Sequence, residues 1–140
     1  MNEELKKVEA NYPNQVRIVF RNYPLAHKHD NAFAAARAAE AAGLQGKFRE
    51  MIDLLYMRRD QWAPENGPVL TFASYSQGLG LDVERFKNDS ASELVASRIT
   101  LDMKRAEFLG VIGTPSLFVN GVKLNRSDHN RLIQVVRALL

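Results

Sequence analysis

The stretch "FLGVIGTPSLFVNGVKL", Phe108 to Leu124, decides the reading of this chain. Proline lacks an N–H and cannot extend a central sheet ladder, so Pro115 belongs at a strand's first residue or in the loop feeding it. Beyond it, "SLFV", Ser116 to Val119, and "VKL", Val122 to Leu124, read as two strands. Asn120-Gly121 between them tolerates positive φ at both positions and fits a two-residue type I′ hairpin. Ahead of the stretch the apolar period is helical: Val95, Ile99, Met103 and Ala106 form one stripe that ends at Gly110. "SASE", Ser90 to Glu93, reads as the capping box that opens this longest helix. On the other side, Ser127 is the expected cap of a final helix carrying Leu132, Ile133, Val136 and Leu140 on one face.

Further out, Leu5, Val8 and Tyr12 keep helical spacing as far as Pro13, and "VRIVF", Val16 to Phe20, reads as a strand. A helix is expected from Asp30 through the alanine-rich run to Gly43, read as its C′ residue. Phe48, Met51, Ile52 and Leu55 mark a second. Pro68 suits the first turn of a third, which closes at Gly78 and Gly80, and Asp82 caps a short turn through Phe86. The order is helix, strand, a long helical block, hairpin, helix. A sheet of three short strands is thin cover for so many apolar helix faces.

At 140 residues, with 46% hydrophobic and 25% charged residues, the chain has the composition of one folded domain. It contains no apolar run near the ~20 residues of a membrane span. The net charge is +3, but its 19 Lys and Arg are scattered, with no block longer than Lys6-Lys7, Arg58-Arg59 or Lys104-Arg105. That describes a solvated surface and no nucleic-acid stripe. Met1-Asn2-Glu3-Glu4 has neither the basic nor the apolar region of a signal peptide. Cysteine is absent. His27 and His29 form an H-x-H beside Asp30, and His129 follows Asp128, but without a third ligand at a sensible spacing no metal site is expected. Trp62 reads as a packing residue and Tyr23-Pro24 as the turn after the first strand. Ser74, Ser76 and Ser116 lack the histidine and acid of a nucleophilic triad.

Four ordered stretches carry a family resemblance. They are "VRIVFRNYPL" with the following His29-Asp30-Asn31-Ala32, "AARAAEAAGLQGKFREMIDLLY", "LGLDVERFKND" and "LGVIGTPSLFVNG". Together they make the chain similar, from Val16 to Leu124, to DsbA-like thioredoxin-fold domains, of the kind sometimes fused to vitamin K epoxide reductase homologues. Arg49 stands where that family often has an aromatic. The resemblance implies an α/β, thioredoxin-like fold in a single domain over 1–140, with a helical insert at about 30–110. It also implies an absence: the family's first strand, central in its sheet, and the C-x-x-C pair after it have no counterpart here. An N-terminally truncated domain is therefore the expectation, with no catalytic residue of its own.

In such folds a thiolate at a helix N-terminus attacks the disulfide while the residue before a cis-proline pairs with the substrate strand. The resemblance assigns that substrate-binding role to Gly113, Thr114 and Pro115, with a cis Thr114–Pro115 bond, an exposed Thr114 and Ser116 beside the groove. It implies a protein thiol:disulfide oxidoreductase as parent. Protein or peptide substrates and a redox partner are its implied partners, no cofactor is implied, and the implied location is extracytoplasmic, in the periplasm or cell envelope. The chain itself is expected to be inactive in dithiol exchange. Its incomplete sheet is expected to borrow a strand by self-association or to stay loosely packed. Two other readings stay open: a glutathione-dependent transferase or isomerase on the same scaffold, and a cysteine-free peptide-binding module.

Overall fold

The computed structural model describes residues 2–140, with side chains from Glu3 onward, and they fall into two compact units. One comprises the residues up to Arg21 together with Val111–Leu140; the other is Asn22–Gly110.

The first unit contains helix α1 (Asn2–Asn11), and the helical unit holds α2 (Ala32–Gly43), α3 (Phe48–Met57), the single turn α4 (Arg59–Trp62), α5 (Val69–Gly78), α6 (Val83–Ala91) and α7 (Glu93–Phe108). The chain then returns to the first unit with β1 (Phe118–Val119), β2 (Val122–Lys123), a 3₁₀ segment (Arg126–Arg131) and α8 (Leu132–Arg137). Among the described residues, no helix is long and apolar enough to cross a membrane.

The helical unit is built on the small side chains of α2. Ala38, Ala39, Ala41 and Ala42 are buried, and they bring the helix close to Met51, Ile52 and Leu55 of α3 and to Phe86 of α6. A methyl leaves no room for rearrangement, so larger residues there would overpack the contact. Trp62 lies in the same core, its Nε1 donating to the Leu55 carbonyl at 2.8 Å and its ring edge-on to Phe72 at 5.6 Å. The packing role read for it is the one it has. Burial pushes the Tyr75 phenol above its ordinary pKa, opposed by the Arg58 guanidinium 5.3 Å over its ring. Polar bonds tie the loops together: Gln45 and Asp82 exchange side-chain-to-backbone bonds at 2.9 and 3.1 Å, and Arg37 donates to the Ser90 carbonyl at 2.9 Å.

Several expectations need correction. Gly43 is the last helical residue of α2 and not its C′ residue; the positive φ, +78°, falls at Gly46, and a Cβ on Gly43 would press on Phe48 at 3.3 Å. The glycine gives the Phe48 side chain its room. Asp82 does accept from the Arg85 N–H at 2.9 Å, but the helix it caps runs on to Ala91 and so absorbs Ser90. Ser92, extended at φ −74° and ψ 151°, caps α7 instead by accepting from Val95 N–H at 3.3 Å. Ser127 lies inside the 3₁₀ segment, whose N-cap is Asn125, and caps nothing.

In the first unit, Val8 of α1 and Leu132 and Val136 of α8 form a small core that also gathers Leu5, Tyr12, Val16, Leu117 and Val119. The hairpin is present, with Phe118 opposite Lys123 and Val119 opposite Val122. Asn120 and Gly121 have φ of 49° and 82°, the two positive values that a type I′ turn needs. Its strands are shorter than "SLFV" and "VKL" suggest, although Leu124 N–H still donates to Leu117 O at 2.8 Å. Val16 to Phe20 do not form a strand. A strand exists only through a ladder, and among the described residues none pairs with this segment.

Candidate functional site

Gly113, Thr114 and Pro115 form the loop leading into β1, and the Thr114–Pro115 peptide is cis, as the motif predicts. Ser116 closes the loop on itself, its hydroxyl donating to the Gly113 carbonyl at 2.8 Å. Thr114 and Pro115 are exposed. Ser116 therefore precedes the strand, and its hydroxyl holds the loop's shape.

The hairpin register fixes which way β1 points its backbone. Opposed residues in an antiparallel pair alternate between hydrogen-bonded and non-bonded. Leu117 and Leu124 are a bonded pair, so Phe118 and Lys123 are a non-bonded one. The Phe118 N–H and C=O consequently face away from β2, and among the described residues they meet no backbone partner. An edge of this kind accepts an added strand. The loop and this edge, both in the first unit, are the candidate site. It brings together the three residues read from the sequence and adds Ser116 and the Phe118 backbone.

A second group of polar residues went unread in the sequence. In the helical unit Asn22, Glu40 and Asp102 are all buried. The Asn22 side-chain amide donates to Glu40 Oε1 at 2.6 Å and to Asp102 Oδ2 at 3.2 Å, while its backbone N–H donates to Asp102 Oδ2 at 3.0 Å. Two exposed arginines flank the pair: Arg98 Nε lies 3.0 Å from Glu40 Oε2, and Arg105 Nη1 lies 3.9 Å from Asp102 Oδ1. Without these donors two carboxylates could not share so small a buried volume. The arrangement locks the start of the unit to α2 and α7.

Other expected candidates lie elsewhere. His29 Nδ1 is 3.3 Å from an Arg59 guanidinium nitrogen, and because arginine only donates, the imidazole accepts. His129 is buried in the 3₁₀ segment. A depression of about 190 Å³ beside Lys28, His29 and Arg59 belongs to the helical unit and includes none of the loop residues.

The family profile described as Thioredoxin matches residues 1–137. The chain belongs to the thioredoxin family. Its small sheet and many helices are thus a thioredoxin-like domain in which helix predominates. Curated relatives include the Na(+)/H(+) antiporter NhaA 3 of Salinispora tropica, 42% identical over 106 residues, which span 76% of this chain and 16% of that protein. The Na(+)/H(+) antiporter NhaA 1 of Mycolicibacterium vanbaalenii is 37% identical over 123 residues, covering 85% and 19%. The Na(+)/H(+) antiporter NhaA of Herminiimonas arsenicoxydans is 34% identical over 129 residues, covering 92% and 20%. This thioredoxin-family chain therefore spans a fifth or less of the relatives it matches.

Proposed function

We propose that this chain is the peptide-binding portion of a DsbA-like thiol:disulfide exchange domain, with Gly113, Thr114 and Pro115 presenting an extended substrate strand. The observation that carries this reading is the exposed Thr114 leading into a strand whose Phe118 N–H and C=O point off its free edge. A peptide laid there gains ladder bonds irrespective of its sequence and draws selectivity from alternate side chains. The thiolate that attacks the disulfide has to come from residues outside these 140, since the sequence contains no cysteine. On this reading the parent works outside the cytoplasm, and when joined to an antiporter its sulfur chemistry is separate from ion exchange.

The absence of cysteine also favours a second reading, a module that binds extended peptides and does no chemistry. Both are tested at that edge in this chain; in the complete parent of the first reading the family's central strand would occupy it, leaving the Thr114 backbone as the pairing position. Fluorescence anisotropy of a labelled extended peptide with alternating apolar residues tests it. Saturable binding is expected, and Thr114→Arg should weaken it about tenfold, ~1.4 kcal/mol, at an unchanged melting temperature because Thr114 is exposed. Absence of binding, or equal binding by the variant, would refute the assignment.

A further inference from the structure

The outer face of α7 carries an apolar line that the fold does not use. Leu94, Leu101 and Phe108 are 68%, 61% and 89% exposed, although leucine and phenylalanine supply most helices with core contacts. Their seven-residue spacing places them within about 40° of one another around the helix, along roughly 21 Å of its length. Val95, Ile99 and Asp102 fill the inward side. Interleaved with the apolar line are Arg98, Lys104 and Arg105, all exposed. The carboxylates nearest the two arginines, Glu40 and Asp102, are buried beneath them, so the guanidinium groups stay at the surface. The helix's other acids, Glu93 and Glu107, each stand one residue before an apolar position, about 100° around. Thus the face combines three large apolar side chains with three cations and no acid.

We propose that this face of α7 docks on an anionic lipid surface. Charge complementarity selects the occupant: two copies meeting through this face would oppose like cations, whereas acidic headgroups neutralise them. Shape separates lipid from an acidic helix. Ser97 and Lys104, beside the apolar line, are exposed as well, so the face is a ridge without the walls that a helix-in-groove partner requires. A ridge meets a planar interface along its whole length, with apolar tips inserted and cationic groups reaching the headgroups.

Flotation of the full chain with vesicles of phosphatidylcholine alone, and of phosphatidylcholine with phosphatidylglycerol, provides the test. Each cation near the surface adds on the order of fivefold to partitioning, so anionic vesicles should bind at least about tenfold more strongly than neutral ones at low salt, and less so as salt rises. The pair Leu101→Ser/Phe108→Ser and the pair Lys104→Glu/Arg105→Gln should each lower binding about tenfold. Leu101→Ser/Phe108→Ser should leave the melting temperature near that of the parent, because both side chains are outside the core. Equal partitioning into both vesicle types, absence of binding, or variants that float as well as the parent would overturn the proposal. So would a dimer in light scattering that Phe108→Ser dissociates, which would assign the face to a second copy.

Discussion

Replacing Asn22 by alanine should be among the most damaging single changes in the helical unit. The side-chain amide makes two hydrogen bonds to carboxylate oxygens, 2.6 Å to Glu40 and 3.2 Å to Asp102, at a buried position. Bonds to charged acceptors contribute ~1.5–3 kcal/mol each, with the longer of this pair at the low end. Their loss leaves both carboxylates short of a donor inside the protein, although the Asn22 backbone N–H continues to serve Asp102 at 3.0 Å. The combined loss is about 3–4 kcal/mol, a large part of a domain's usual ~5–15 kcal/mol margin, and lowers the melting temperature by roughly 10 °C. Urea unfolding followed by circular dichroism measures it, with the midpoint falling and the slope retained. A double-mutant cycle with Glu40→Gln should return a coupling of ~1 kcal/mol or more. A loss below ~0.5 kcal/mol, or additivity in the cycle, would mean that Asn22 does not hold the two carboxylates in place.

The other predictions concern caps, the turn and alkaline pH. Ser92→Ala should cost ~1 kcal/mol in chemical unfolding because it removes the α7 cap, whereas Ser90→Ala should be neutral or slightly stabilising, since the Ser90 hydroxyl is buried without a hydrogen-bond partner among the described residues. Gly121→Ala should cost ~1–2 kcal/mol in the same assay, because at φ 82° a Cβ crowds the backbone. Tyr75, whose pKa burial raises, keeps its proton to higher pH in the folded than in the unfolded chain. Stability from this group is therefore intact below the unfolded tyrosine value of ~10 and is lost as pH rises through the folded value; melts across alkaline pH should show the decline, and Tyr75→Phe should flatten it.

What the sequence made legible follows from how local each signal is. The Asn120-Gly121 turn, the Asp82 cap and the amphipathic stripe of α3 depend on neighbours a few residues away, and each stands where the pattern puts it. Gly113-Thr114-Pro115 was equally readable, because a proline before an apolar strand has few allowed settings. Val16 to Phe20 show the opposite case. Their composition is that of a strand, but a ladder depends on a partner that a local pattern does not contain. The Asn22–Glu40–Asp102 network was hidden for a related reason. On α7 the buried stripe is Val95, Ile99 and Asp102, so an acid occupies an apolar position, whereas reading Val95, Ile99 and Met103 steps around it. An aspartate on an apolar stripe, or a glutamate within an alanine-rich helix, signals a buried polar contact, but the partner is 80 residues away in one case and 18 in the other.

On the proposed reading, the edge of β1 beside Thr114 accepts an extended peptide. Amide hydrogen exchange at Phe118 in the free and peptide-bound chain is the sharpest test, because its N–H points away from β2 and meets no backbone partner among the described residues. Rapid exchange is expected at Phe118 in the free chain and strong protection on binding, while Val119, already in the hairpin, changes little. Binding that leaves the Phe118 amide exchanging freely, or protection of it before any peptide is added, would contradict the claim.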